Sequence, residues 1–306
     1  MKGFYPEGWR SPTREGQRCR YTPRALAEAA SSNEILEGLA YMCDSDHNLL
    51  VDLGSMKGII PRVEGALGIE EGSVRDIALI SRVGKSVCFT VEQILEDEKG
   101  ESYALLSRRR AQVRCRVEKI SRLNPGDVVD AVVTHLESFG AFCDIGCGNI
   151  ALLPIDSISV SRIAHPCDRM SAGDKIRVVV KSIDKAGRIT LTHKELLGTW
   201  EENAQRLIQG QTVSGIVRSV ESYGIFVELA PNLAGLAEPK EGVKVGQTAS
   251  VFIKSIIPEK MKIKLIIIDS FESDSRPEWE YFYEGDRIER FVYSPKESAK
   301  VIETIF

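Results

Sequence analysis

The stretch GDVVDAVVTHLESFGAFCDIGCGNIALLP, from Gly126 to Pro154, decides the fold because the chain repeats it. From Gly210 to Pro239 the sequence reads GQTVSGIVRSVESYGIFVELAPNLAGLAEP. Each copy has a strand of alternating valines, then Glu-Ser-aromatic-Gly, a second strand carrying Phe, an acidic residue, and a turn into a short apolar strand. The downstream halves match too: GDKIRVVVKSIDKAGRITLTHKE from Gly173 parallels GQTASVFIKSIIPEKMKIKLIIID from Gly246. Self-similarity of this kind marks tandem copies of one structural unit.

A third copy lies upstream. SDHNLLVDLGSMKGIIP, Ser45–Pro61, aligns with Ser138–Pro154, and His47-Asn48 stand where the aromatic-Gly pair would be. Its second half, Gly84–Arg109, has the same strand, charged hairpin and strand. Within the copies, apolar residues alternate with polar ones and Gly, Asp and Asn punctuate the runs, as half-buried strands require. In the middle copy Val129, Ala131 and Val133 take the inward parity, as do Ile176, Val178 and Val180, then Ile189 and Leu191. Five short strands per unit, with an irregular stretch after the third, describe a small closed barrel of OB type.

The expected fold class is therefore mainly all-β: three tandem five-stranded OB-fold barrels joined by short helical linkers. The expected boundaries are a basic N-terminal arm over 1–32, a degenerate barrel over 33–109 and a basic linker over 110–123. The middle barrel takes 124–194, a helical linker 195–207, the last barrel 208–269 and a C-terminal extension 270–306. KELLGTWEENAQRLIQ, from Lys194, places Leu196, Leu197, Trp200 and Leu207 near helical spacing, and Arg109–Leu123 holds neither Pro nor Gly, so both read as helices.

Composition narrows the function. Hydrophobic residues at 43% and charged ones at 27% are ordinary for a folded soluble protein. No apolar run is long enough for a membrane span and the first residues carry no signal-peptide core, so a cytoplasmic protein with no membrane partner is expected. Seven scattered cysteines without a CxxC pair predict reduced, mostly buried thiols. A net charge of −4 rules against coating nucleic acid by global attraction; any phosphate contact has to be a local patch. Cations crowd two places: the arm (Lys2, Arg10, Arg14, Arg18, Arg20, Arg24) and the linker (Arg108, Arg109, Arg110, Arg114, Arg116, Lys119, Arg122). Acidic residues gather near Glu272, Asp274, Glu278, Glu280, Glu284 and Asp286.

The repeat resembles the S-one RNA-binding domain, named after protein one of the bacterial small ribosomal subunit. The resemblance rests on SFGAFCDIG followed by KSIDKAGRITLTHKE: an aromatic-Gly-x-Phe strand, then Ile-Asp, a Gly-Arg-Ile hairpin and a final strand. It is strong in the middle copy, good in the last and loose in the first, and the array looks like a shortened homologue of that ribosomal protein. It implies binding of single-stranded RNA, messenger RNA included, without catalysis or cofactor, with the small ribosomal subunit as a partner. It also implies an RNA face carried by Phe139, Phe142, Asp184 and Arg188. Bases stack on exposed rings while cations meet the phosphates. Strand parity puts Phe139 and Phe142 on opposite faces, so a bulge at Gly140 is expected to turn the first ring outward. Phe142 and Asp144 read as outward.

In the last copy the matching residues are Tyr223 and Phe226, with Lys262 in the arginine position and Lys254 and Arg218 flanking; Ile257-Pro258 replace the Asp. The family's histidine after the third strand is absent, since Pro61, Pro154 and Glu238 stand there. In the first copy His47 and Leu50 fill the aromatic slots, which favours a docking role over stacking. The competing reading of the rings, as plugs of a barrel edge or an interdomain contact, ranks below base stacking, while the arginine-rich linker reads as either a phosphate-binding face or a solvated connector. Four histidines without paired metal spacing, and an isolated Gly84-Lys85-Ser86 without the rest of a phosphate loop, make an enzyme the last-ranked reading. A protein-interaction scaffold, or a subunit of an RNA-processing or RNA-degrading complex, is the competing one.

Overall fold

A computed structural model of the 306-residue chain describes residues 3–10, 21–273 and 279–306. The charges noted at Lys2, Arg14, Arg18, Arg20, Asp274 and Glu278, and Cys19, lie outside the described residues. Two compact units divide the chain: residues up to 123 with 130–132 and 144–150, and residues 124–129, 133–143 and 151–306.

The first unit opens with helix α1 (Pro23–Ser32). Thr22 caps it by accepting from the Ala25 amide, Pro23 pre-sets its first turn, and Asn33 ends it in the left-handed region. Leu26 and Ala29, one turn apart, enter the core of a closed barrel. Its strands are β1 (Leu36–Cys43), β2 (Leu49–Asp52), β3 (Lys57–Ile60), β4 (Lys85–Glu96) and β5 (Ser102–Ser107), with a short helix α2 (Ile77–Ile80) between β3 and β4. The strand order is β1-β2-β3-β5-β4: β4 closes antiparallel on β1, and β3 runs parallel to β5. The loosest copy of the repeat thus builds a complete barrel around Leu49, Val51, Phe89 and Leu106. Helix α3 (Arg108–Glu118) follows directly, its first turn capped by Ser107.

The middle barrel comprises β6 (Val128–Glu137), β7 (Gly140–Asp144), β8 (Ile150–Pro154), β9 (Lys175–Ile183) and β10 (Ile189–Thr192), in the order β10-β8-β7-β6-β9. The inward set read from the sequence, Val129, Ala131, Val133, Ile176, Val178, Val180, Ile189 and Leu191, is buried throughout. The last barrel repeats the plan with β11 (Thr212–Glu221), β12 (Gly224–Ala230), β13 (Leu233–Ala237), β14 (Thr248–Ile257) and β15 (Lys262–Phe271). Among the described residues no helix is long and apolar enough to cross a membrane.

Between the last two barrels the expected long helix is two short pieces, a 3-10 turn (Lys194–Leu196) and α4 (Trp200–Ala204). Gly198, at φ 83°, breaks the run, and Thr199 caps the second piece with Glu202 answering in a capping box. Trp200 enters the last barrel's core.

The C-terminal extension has a structural task that its sequence did not disclose. Strands β16 (Arg290–Val292) and β17 (Glu303–Ile305) pair with each other, Ile288 joins Val179 and Leu196 in a buried cluster, and the Tyr293 hydroxyl donates to the Asn232 carbonyl at 2.6 Å. Arg177 donates to the carbonyls of Tyr283 and Gly285 at 2.8 and 2.9 Å. The segment ties the middle barrel to the last one.

Candidate nucleic-acid interface

Phe139 lies in the two-residue turn, 138–139, that joins β6 to β7, and is 53% exposed. Phe142 is half-buried on β7, and the two rings meet edge to face with centroids 6.0 Å apart. The turn explains why both rings share a surface: Phe139 is outside the strands, so strand parity does not govern it. The matching Gly224 of the last barrel shows no bulge. A Cβ on Gly140 would lie 2.5 Å from the Leu153 carbonyl oxygen, and one on Gly224 would lie 2.8 Å from that of Ala237. Glycine is needed there because the third strand's backbone approaches so closely. In the last barrel Gly224 sits regularly opposite Glu221, and the register shift falls earlier, between Val217 and Ser219.

His135 shares the parity of inward Val133, yet its side chain is 65% exposed. Its ring lies beside that of Phe142, centroids 6.4 Å apart and planes 20° apart, and its Nε2 is 2.7 Å from Glu137 Oε1. The matching position in the last barrel is Ser219, directly opposite Phe226.

Asp184 and Arg188 also come together, at 2.7 Å, on the hairpin between β9 and β10. The carboxylate accepts from the amides of Ala186 and Arg188 and from Arg188 Nε. The Arg188 amide, its guanidinium and the Ala186 amide hold Asp184 below the ordinary carboxylate range. Asp97 accepts from the Lys99 and Glu101 amides in the same way in the first barrel, so this aspartate builds the hairpin. Arg188, 84% exposed, keeps its terminal nitrogens outward. The strand order β10-β8-β7 puts it two strands, about 10 Å, from Phe142's strand.

In the last barrel Tyr223, 67% exposed, and Phe226 repeat the edge-to-face pair at 6.2 Å. Register pairs run Phe226 to Leu236, Leu236 to Lys264, and Lys264 to Ser255, so Lys264 shares a row with Phe226, whereas Lys262 pairs with Ile257 at the strand's start. Lys262 is exposed; Lys254 is held by Glu238 at 2.9 Å, which keeps that carboxylate below its ordinary range. Arg218 does not flank the surface as a spare cation. Its Nε is 2.6 Å from buried Glu228, which also takes Nη1 of wholly buried Arg169 at 2.6 Å.

Asp144 occupies the repeat position of Glu228 and is likewise fully buried rather than exposed. Within the first unit it accepts from the amides of Glu7, Gly146 and Gly148 at 2.7 to 2.9 Å. Burial works to raise both carboxyls of this cluster. At Glu7 the bidentate Arg108 guanidinium overrides it and holds the group below its usual value, whereas Asp144, beside the Glu7 charge, is pushed up to about 7. Residues 3–10 are thus tied down by Glu7.

The linker cations are largely matched: Arg109 with Glu64 and Glu70, Arg110 with Glu92, Arg114 with Glu118, and Lys119 with the Phe4 and Ile145 carbonyls. Arg109, Arg110 and Arg114 line an open cleft of about 780 Å³ together with Glu64. Among the described residues no cluster of His, Cys, Asp and Glu could hold a metal ion. Cys88, Cys115, Cys143 and Cys147 are buried thiols, Cys43 is half-buried and Cys167 exposed.

Three closed five-stranded barrels in series, two with matched aromatic pairs beside cations, define a repeat protein of the OB-barrel class. Residues 122–194 match the S1 RNA binding domain, and beyond that segment the chain is similar to S1-type proteins. It is 30% identical over 234 residues to small ribosomal subunit protein bS1 of Leuconostoc lactis, covering 71% of this chain and 52% of that one. With the bS1 homolog of Bacillus cereus the identity is 32% over 245 residues, 74% of this chain and 61% of the relative. The chain therefore spans less than two thirds of the length of these relatives. A solved multidomain protein with nucleic acid binding domains from Streptococcus pneumoniae aligns over 78% of this chain and 75% of its own at 18% identity, with a TM-score of 0.25.

Proposed function

We propose that the protein binds single-stranded RNA without catalysing a reaction on it, with the middle barrel as principal site. Phe139 and Phe142 stack unpaired bases and Arg188 meets the phosphates, while Asp184 shapes the hairpin that carries the arginine. Tyr223 and Phe226 with Lys262 and Lys254 form a second, weaker site, because Glu238 competes for Lys254. The observation that carries this reading is the exposed Phe139–Phe142 pair inside the segment that matches the S1 RNA binding domain. The bS1 relatives, named as proteins of the small ribosomal subunit, support that particle as a partner, and unstructured messenger RNA in the cytoplasm completes the proposal.

Fluorescence anisotropy with an unstructured RNA oligonucleotide tests it. Phe142→Ala should cost about 1 to 3 kcal/mol of binding. Unchanged affinity in that variant removes the proposed face.

A second reading applies to the first barrel alone. It presents Tyr41, Met42, Ile77, Ile80 and Val83 as exposed apolar side chains and has Leu50 in place of the stacking ring, which favours protein docking. Co-sedimentation with ribosomes after nuclease treatment separates the two: retention speaks for protein contacts and loss for RNA.

A further inference from the structure

His135 was absent from the face read in the sequence, because parity counted from Val133 sends it inward. Its position asks for a role. The imidazole is a flat, exposed ring set almost parallel to the Phe142 ring, and Phe142 in turn meets Phe139. Three rings are thus contiguous on one outer surface, two of them offering faces in nearly the same orientation. Base stacking needs such faces and tolerates any base, since every base has a π-surface.

The imidazole is also oriented. Among the described residues Glu137 alone hydrogen-bonds it, through Nε2, which makes Nε2 the donor to the carboxylate. Nδ1 meets no described partner, so an acceptor remains in the ring plane. A side chain that served only as a surface ion pair would have no reason to align its plane with a neighbouring phenyl ring.

We infer that His135 is a third base-stacking residue of the middle barrel, fixed by Glu137 and working beside Phe142. This rests on the RNA-binding reading of the Phe139–Phe142 face. It also distinguishes the two sites, since Ser219 at the matching position leaves the last barrel with two rings.

The test uses the full chain, anisotropy with single-stranded oligoadenylate, and four variants. His135→Ala should weaken binding at least about fivefold, the lower end of a lost base stack. His135→Phe, which keeps a flat ring, should stay within about twofold of the parent. Ser219→His, made in a Phe142→Ala background so that the last barrel is read alone, should tighten binding. Since His135 is exposed, melting curves of its variants should overlay the parent's, which separates lost contact from lost fold. His135→Ala binding like the parent while Phe142→Ala is weakened would overturn the assignment and leave the RNA face standing. Parent-like binding in both variants would overturn both.

Discussion

Replacing Glu228 should destabilise the second unit more than any surface change. Its carboxylate is 1% exposed and sits between Arg169, with no side-chain exposure, and Arg218, at 11%. Burial pulls on Arg169, holding its guanidinium below its ordinary value even with the carboxylate present. Taking the carboxylate away leaves two buried cations with only Asp168, 3.8 Å from Arg218, to offset them, and Arg218 Nη2 already lacks a partner there. Breaking such a buried cluster costs about 3 to 5 kcal/mol. For a unit of this size that is a drop of roughly 6 to 20 °C in melting temperature. The assay is urea denaturation of Glu228→Gln followed by tryptophan fluorescence, since Trp200 is buried in the last barrel's core and reports this unit. The triple replacement Arg169→Met, Glu228→Leu, Arg218→Leu removes the three buried charges at once, leaves only the partly exposed Asp168, and should be near neutral by comparison. A loss below about 1 kcal/mol in Glu228→Gln, or a triple variant as unstable as the single one, would refute the reasoning.

Acid should weaken the second unit in a defined window. Burial holds the His193 imidazole down at about 4 against an ordinary 6.5, so the unfolded chain takes up a proton that the folded one refuses. Stability is full above 6.5 and falls as the pH drops toward 4, by about 3 kcal/mol in all; pH-dependent melts of the parent and His193→Asn, in which the slope should disappear, check this. Ile288→Ala removes a buried anchor of the C-terminal segment and should cost about 2 to 5 kcal/mol by denaturant titration. Arg188→Ala should weaken RNA binding across sequences alike and reduce the slope of log affinity against log salt by about 0.7, the value for one phosphate contact on a single strand.

How far the residues could be read from the chain follows from what sets each one's position. The inward set from Val129 to Leu191 was legible because a period of two is a local property of a strand. So was the loosest copy, whose barrel closes despite His47-Asn48. Asp144 was misjudged for the opposite reason, and Glu228 at the matching position shows the same effect. Both leave the barrel on its outer side, as parity says, but partners distant in sequence, Glu7 and Arg169, cover that side. Parity failed at His135, whose counterpart Ser219 in the last barrel follows a register shift that no residue type announces. The linker arginines looked like free charge because the carboxylates that meet them, Glu64, Glu70 and Glu92, come from another part of the chain. The C-terminal segment matched no repeat since it is no repeat: its Ile288 and Tyr293 serve surfaces that only the folded barrels create.

Photocrosslinking of the full chain to unstructured RNA, followed by peptide mapping, is the most direct check on the molecule's work. Crosslinks should concentrate on the peptide carrying Phe139 and Phe142, with a lesser yield around Tyr223 and Phe226. Crosslinks confined to the arginine-rich helix or the first barrel, with none on either pair of rings, would contradict the account.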